Sequence, residues 1–348
     1  MKHIKSKHTG KNNTRKNTTR RVNRNQTNRN QTNRNQTNRN QTASKTNVKK
    51  RNTMKKRTRS NKSSEFKKLQ CSPFVGNGEF SCYDTASLIK LKSLWNKENI
   101  NDKIHTTQPY QIWSSLKTKM ENQCPHEKCW LRKISSTTQI PQSLYASFAP
   151  SQPSVWKQNP NTWLNSDDIT KVLRQYEMKY SCFEYIGPSP IDYDVKLEDT
   201  STCVWEELCK FDLASLLKRG KTKMGIVFNL DTHKGPGTHW VGLFVNAKTG
   251  NIYYFDSTGH GAPSRIRKLV RTIRTQGKDL QTAEPIDFKF HENTKVHQYK
   301  NTECGVYVLH FIVHMLIRPN QWNVYKTKTL HDNSVSKYRS IFFNKSGL

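Results

Sequence analysis

Apolar positions divide the chain into three regimes. Up to about residue 66 they are nearly absent. From there to about residue 217 they recur at helical spacing. Tyr83, Leu88, Leu91 and Leu94 line one predicted helix over 81–95, and Trp113, Leu116 and Met120 line a second that starts at Pro109. Residues 132–160, rich in Ser, Gln and Pro, read as a connection. After Trp163, Asn165 and Ser166 are N-cap candidates for a helix with Ile169, Val172, Leu173 and Tyr176 on one face. A helix over 205–217, with Trp205, Leu208, Leu213 and Leu216 inward, completes this part.

Beyond it the period changes to that of strands. Residues 224–230, 239–245 and 251–256 are three strand candidates, and the short link Asn246–Gly250 makes the last two a hairpin. A basic helix over 262–275 and a further strand over 286–290 follow. Then comes Cys304-Gly305, leading into Val306, Val308, Leu309, Ile312, Val313 and Leu316, the pattern of a buried helix that begins at the cysteine. Strands with segregated helices predict an α+β fold.

Charge changes the picture at the N-terminus. The chain has 348 residues and a formal net charge of +33, yet residues 1–64 hold 21 Lys plus Arg and no Asp or Glu, leaving +12 for the rest. The pentapeptide NRNQT runs four times from Asn23 to Thr42. Such a segment buries too little apolar surface to offset its ordering entropy, so a disordered basic tail is expected over residues 1–66. A flexible arm of this charge binds DNA or RNA through phosphates, with little sequence preference and a strong salt dependence. The bland reading is a solubilising tail, or a nuclear address at Lys49-Lys50-Arg51 and Lys55-Lys56-Arg57.

The opening Met-Lys-His-Ile-Lys-Ser-Lys carries no apolar segment after its charges, so no secretory signal is expected and the NQT triplets match glycosylation acceptors in form only. Gly305 to Ile317, the longest apolar run, is broken by His310 and His314 and is too short to span a bilayer; no membrane insertion is expected. The eight cysteines are scattered, and a reducing compartment is expected. Cys124 and Cys129, with Cys71, Cys82, His105 and His126, are candidate zinc ligands, but they offer one loose pair where structural sites use two tight ones. Neither a metal nor an organic cofactor is expected.

The candidate chemistry centres on Cys304. A helix N-terminus stabilises a thiolate through its unpaired N–H groups and dipole. A lone cysteine at the head of an apolar helix is more often plain packing, so the partners decide. His239 begins one hairpin strand and Asp256 ends its neighbour, which brings both to one edge of the sheet. There the carboxylate fixes the imidazole tautomer, and the free ring nitrogen takes the thiol proton. Gln298, six residues before Cys304, and the Cys304 N–H supply two donors for an oxyanion hole. His233 is the nearest competitor as base, but it sits in a Gly- and Pro-rich loop with no strand to deliver it to Asp256. His310 and His314 stand four apart with Phe-Ile-Val between and no Glu, so they read as interior or partner-facing histidines.

The order His239-Trp240, Phe255-Asp256-Ser257, then Gln298, five residues, Cys304-Gly305 resembles the cysteine proteases of the Ulp1/adenain superfamily over residues 160–345. The resemblance implies a papain-like α+β core with His239 as general base, Asp256 as orienting acid, Gln298 as oxyanion donor and Cys304 as nucleophile. It also implies that Trp163 and Trp240 wall a narrow tunnel for a Gly-Gly stretch of a protein substrate. Ser166 stands where SUMO proteases commonly have Asp.

SCYDTASLIKLKSLWN and CPHEKCWLRK, ahead of the catalytic part, are similar to the arm of the proteases of large nucleocytoplasmic DNA viruses. That similarity implies processing of viral core polyproteins during virion maturation, with the enzyme in the virion and, before packaging, in the host cytoplasm. The expected organisation is a tail over 1–66, a mainly helical arm over 67–150 and a catalytic domain over 151–348. Rival readings are a ubiquitin- or SUMO-like isopeptidase on host conjugates, an effector-type acetyltransferase sharing the His, acid and Cys arrangement, and a basic DNA-associated core protein without activity.

Overall fold

The structure is a computed structural model, and it describes residues 66–75, 79–134, 140–198, 200–281 and 284–345. Apart from Phe66, the expected basic tail and its nucleic-acid contacts lie outside the described residues.

Three helices come first: α1 (Thr85–Glu98), α2 (Pro109–Met120) and α3 (Glu127–Ile134). Asp84 caps α1 by accepting from Ser87 N, and Pro109 occupies the first position of α2, where a missing N–H costs nothing. Leu88, Leu91, Ile112, Leu116 and Trp130 meet in a core of their own, closed by Phe148. The four cysteines among the zinc candidates of this region form two disulfides, Cys71–Cys82 and Cys124–Cys129, and Cys203–Cys209 forms a third. Six of the eight cysteines are therefore paired, which departs from the reduced state that their scattered spacing suggested. α4 (Gln142–Tyr145) and a single turn over Ser154–Lys157 break up the predicted connection.

The larger part begins with α5 (Ser166–Lys179). Asn165 accepts from Asp168 N, and Asp168 accepts in return from Asn165 N, a reciprocal capping box. The five-stranded sheet has β1 (Phe183–Pro190), β2 (Lys223–Asn229), β3 (Trp240–Asn246), β4 (Asn251–Phe255) and β5 (Lys289–Glu292) in that spatial order. β2, β3 and β4 pair antiparallel, while β1 and β5 join as parallel edges. β1 was not foreseen, because Gly187-Pro188-Ser189-Pro190 breaks the alternation; an edge strand with a register shift tolerates both prolines. The predicted strand over 286–290 pairs later, from Lys289.

Alternation along the strands loads both faces. Met224, Ile226, Phe228, Val241, Leu243, Val245, Ile252 and Tyr254 face one core, shared with α7 (Leu213–Lys218) and α8 (Ser264–Lys278). The predicted helix over 205–217 is two pieces, a short α6 (Glu206–Cys209) and then α7, because Asp212 caps a new start at Ser215 N. Phe183, Tyr185, Val227, Phe244, Tyr253 and Phe255 face the other core, with α5 and α9 (Cys304–Ile317). Short helices α10 (Asn323–Thr327), α11 (Asp332–Val335) and α12 (Arg339–Phe342) close this side. Among the described residues no helix is long and apolar enough to cross a membrane.

α9 lies close to the sheet because two strand positions beneath it are glycine. A Cβ on Gly225 would stand 2.7 Å from Ile312 Cγ2 and 2.8 Å from the Phe183 ring, and one on Gly242 would stand 2.9 Å from the Phe311 ring. Gly225→Ala is expected to lower unfolding stability by about 1–3 kcal/mol through overpacking, measured by denaturant titration.

Candidate active site

The hairpin and α9 converge on one edge of the sheet. His239 stands one residue before β3 and Asp256 one residue after β4, and His239 Nε2 lies 2.8 Å from Asp256 Oδ1. A carboxylate only accepts, so Nε2 carries the proton. Nδ1 is then left for the Cys304 thiol, which acts with Asp256 to raise the pKa of His239. Cys304 is the first residue of α9 and is buried. Gly305 behind it abuts Leu164, whose Cβ would be 2.9 Å from any Cβ added there.

The electrostatics follow from these contacts. Burial opposes a charge on His239, but its hydrogen bonds to Asp256 and Cys304 outweigh that and hold its pKa up at about 9. Burial likewise works against the Asp256 carboxylate, yet the hydrogen bonds from His239 and Thr258 keep its pKa below the ordinary value. Thr258 donates to Asp256 Oδ1 from its N–H at 2.8 Å and its hydroxyl at 2.7 Å. Asn293, fully buried, accepts from Asp256 N at 2.9 Å and donates to Asp256 O at 2.7 Å, so the backbone of the acid is pinned as well.

Gln298 is held by the residue after the acid. Ser257 Oγ donates to Gln298 Oε1 at 2.7 Å, and Ser257 O accepts from Gln298 N and His297 N, each at 2.8 Å. One amide N–H of Gln298 is given to Lys300 O at 2.5 Å; its second remains for another acceptor. Ser257 is wholly buried and entered the sequence reading only as part of a motif.

Arg339, on α12, was missed altogether. Its Nε donates to Glu303 Oε2 at 2.9 Å, Nη1 to Thr162 O at 2.9 Å and Nη2 to Thr302 O at 3.1 Å, while the guanidinium lies 4.5 Å from the Trp156 ring centre. One buried cation thus ties the residues before Cys304 to the residue before Trp163. No periodic pattern in the sequence marks such a role.

Trp163 and Trp240 both line a cleft of about 540 Å³, within the range of ligand sites. Trp163 is 39% exposed whereas Trp240 is 6% exposed, its Nε1 donating to Leu164 O at 2.9 Å. Across the cleft stands His233, whose carboxylate partner is Asp192 rather than Asp256. His310 and His314 stack on each other at 5.5 Å on α9; His310 is buried and bonded to the Tyr325 hydroxyl.

A cysteine at a helix N-terminus, an imidazole between it and a buried carboxylate, and a mixed sheet packed on that helix define a papain-like cysteine peptidase domain. Residues 225–346 match the Ulp1 protease family, C-terminal catalytic domain. A protein of Acanthamoeba polyphaga mimivirus, provisionally named a thiol protease, is 29% identical over 200 residues, covering 58% of this chain and 61% of the relative. A cysteine protease of African swine fever virus is 26% identical over 194 residues, covering 52% of this chain and 67% of the relative. The chain therefore spans about three fifths of the mimivirus protein's length. The crystal structure of the African swine fever virus protease matches the fold with a TM-score of 0.52 at 20% identity, over 80% of this chain and 96% of that one.

Two measurements follow from the geometry. NMR titration is expected to find the His239 ring changing charge near pH 9, and well below that in Asp256→Asn, where burial acts without its counterweight. Since the folded pKa lies above the ordinary 6.5, the pair's contribution to stability is complete below about pH 6.5 and is lost as pH rises through about 9. Ser257→Ala is expected to lower kcat roughly tenfold with KM little changed, as steady-state kinetics on a cleaved peptide would report, because Gln298 loses its anchor but the cleft does not change.

Proposed function

We propose that this chain is a cysteine endopeptidase that cuts viral core or structural polyproteins after small-residue, Gly-Gly-type sites during virion maturation. The observation that carries the chemistry is the His239 imidazole hydrogen-bonded to Asp256, with Cys304 as the second group that raises its pKa. The viral relatives support the setting.

His239 Nδ1 holds the Cys304 proton, as its pKa of about 9 favours near neutral pH, and the sulfur attacks the scissile carbonyl carbon as the carbonyl electron pair moves to oxygen. That oxyanion is received by the Cys304 N–H at the head of α9 and by the second N–H of Gln298. The imidazolium returns its proton to the leaving amine, the C–N bond breaks, and a thioester remains. Water, deprotonated by His239, then attacks the thioester; the C–S bond breaks and the acid is released. Throughout, Nε2–H stays on Asp256, which keeps the productive tautomer and orientation.

In this reading Trp163 and Trp240, which line one cleft, flank the substrate on its way to Cys304, and a path between two indoles admits glycine more readily than any branched residue. An isopeptidase acting on ubiquitin- or SUMO-like tails, which end in the same Gly-Gly, is the second reading; the exposed Trp163 at the mouth suits a folded modifier as well as a flexible polyprotein linker. Localisation to the virion, and to the host cytoplasm before packaging, belongs to this proposal.

The test is incubation of purified protein with a diglycine-aldehyde peptide, borohydride trapping and mass spectrometry. An adduct mapped to Cys304 and absent in Cys304→Ala is expected, and Gln298→Ala is expected to slow cleavage on the order of a hundredfold. No adduct on folded wild-type protein would overturn the peptidase reading. Faster turnover of a ubiquitin- or SUMO-tail probe than of polyprotein peptides would favour the isopeptidase.

A further inference from the structure

The cleft between Trp163 and Trp240 continues past Val204, Trp205 and Pro236, and its lining is apolar or neutral apart from one ionisable side chain, His233. That histidine is held unusually firmly for a loop residue. Asp192 accepts from its backbone N–H at 2.9 Å through Oδ1 and meets its ring Nδ1 at 2.7 Å through Oδ2. Asp192 is itself buried, and although burial opposes its charge, the hydrogen bonds from the ring and backbone of His233 keep its carboxyl below the ordinary range.

The loop beneath is equally fixed. Asp231 accepts from Thr232 N at 2.8 Å and from Gly237 N at 3.0 Å, and Gly237 takes a φ of +92°, open to glycine without strain. The imidazole therefore cannot swing away from Asp192. With Nδ1–H given to that carboxylate, Nε2 on the opposite side of the ring is placed as the acceptor. Among the described residues the hydrogen bonds of His233 are those of its backbone N–H and Nδ1 to Asp192, and His233 lines the cleft.

We infer that His233, clamped by Asp192, is a specificity anchor that accepts a hydrogen bond from a hydroxyl or carboxamide side chain of the substrate, upstream of the small-residue pair. The placement upstream rests on the peptidase reading above. A hydroxyl or carboxamide satisfies Nε2, whereas an apolar residue leaves it desolvated and unpaired. A carboxylate would set lone pair against lone pair and put a second negative charge near Asp192.

The test uses the full chain carrying Cys304→Ala, so that binding is read apart from cleavage, with peptides in which Thr or its isostere Val is scanned through the four positions ahead of Gly-Gly. Calorimetry is expected to show one position where Thr binds about tenfold tighter than Val, the worth of one hydrogen bond in such a site. In the same background His233→Leu is expected to bring that ratio to about one. Asp192→Asn, which frees the ring to turn, is expected to shrink the ratio as well. No position with a Thr preference, or a preference that survives His233→Leu, overturns the anchor. Wild-type cleavage of the same peptides reports separately: a Thr preference in binding without cleavage removes the peptidase reading and leaves the anchor standing, while cleavage with equal affinities removes the anchor alone.

Discussion

The close seating of α9 on the sheet is the constraint on which the site depends. Glycine at 225 and 242 lets Phe311 and Ile312 come down onto the strands, and glycine at 305 lets the head of the helix press against Leu164. Cys304 is covalently part of that head. Its position relative to His239 is thus set by backbone packing over the whole length of the helix and not by a flexible tether. A thiol–imidazole hydrogen bond loses its function when displaced by an ångström or so, which is why the tight glycine contacts lie under the nucleophile's helix. Arg339 supplies the same service from the other side, since one guanidinium holds Thr302, Glu303 and Thr162 together.

The charged groups of the site are stable in place because almost every polar atom around them is used. Asp256 receives three donors on one oxygen, and its own N–H and carbonyl are both taken by Asn293. A buried carboxylate with fewer donors would protonate, and an imidazole beside a neutral acid would lose the pull that raises its pKa. Ser257, fixed next to Asp256, carries the same order onward to Gln298. Base, acid and oxyanion donor are linked through adjacent residues of one turn, so a disturbance at any of them propagates to the others.

Local patterns and spacing made much of this visible in the sequence. The hairpin, the helix starting at Cys304 and the Asn165 cap all rest on periodicity and turn chemistry within a few residues of each other, and the structure has them at those places. What was illegible depends on contacts far apart in the chain. β1 is held by pairing with β2 about forty residues later, which lets it keep two prolines that would argue against a strand in isolation. Arg339 acts across more than 170 residues of sequence on Thr162. Cysteine partners, too, are a matter of three-dimensional proximity, and spacings of 11, 5 and 6 residues carry no recognisable metal or disulfide pattern.

Two histidine–carboxylate pairs stand within the same part of the fold, and their difference shows what decides a histidine's role. His239 gives Nε2–H to Asp256 and turns Nδ1 to a thiol; His233 gives Nδ1–H to Asp192 and lines a cleft of apolar and neutral polar side chains. In each the carboxylate does the same work, fixing one proton so that the opposite nitrogen keeps a lone pair. Chemistry then follows from what that lone pair meets. Facing an S–H, it is a base that creates a nucleophile; facing a passing side chain, it is an acceptor that selects one. Residue type cannot distinguish the two, but the position of each ring relative to the head of α9 does, and that position is fixed by the same glycines that let the helix settle on the sheet.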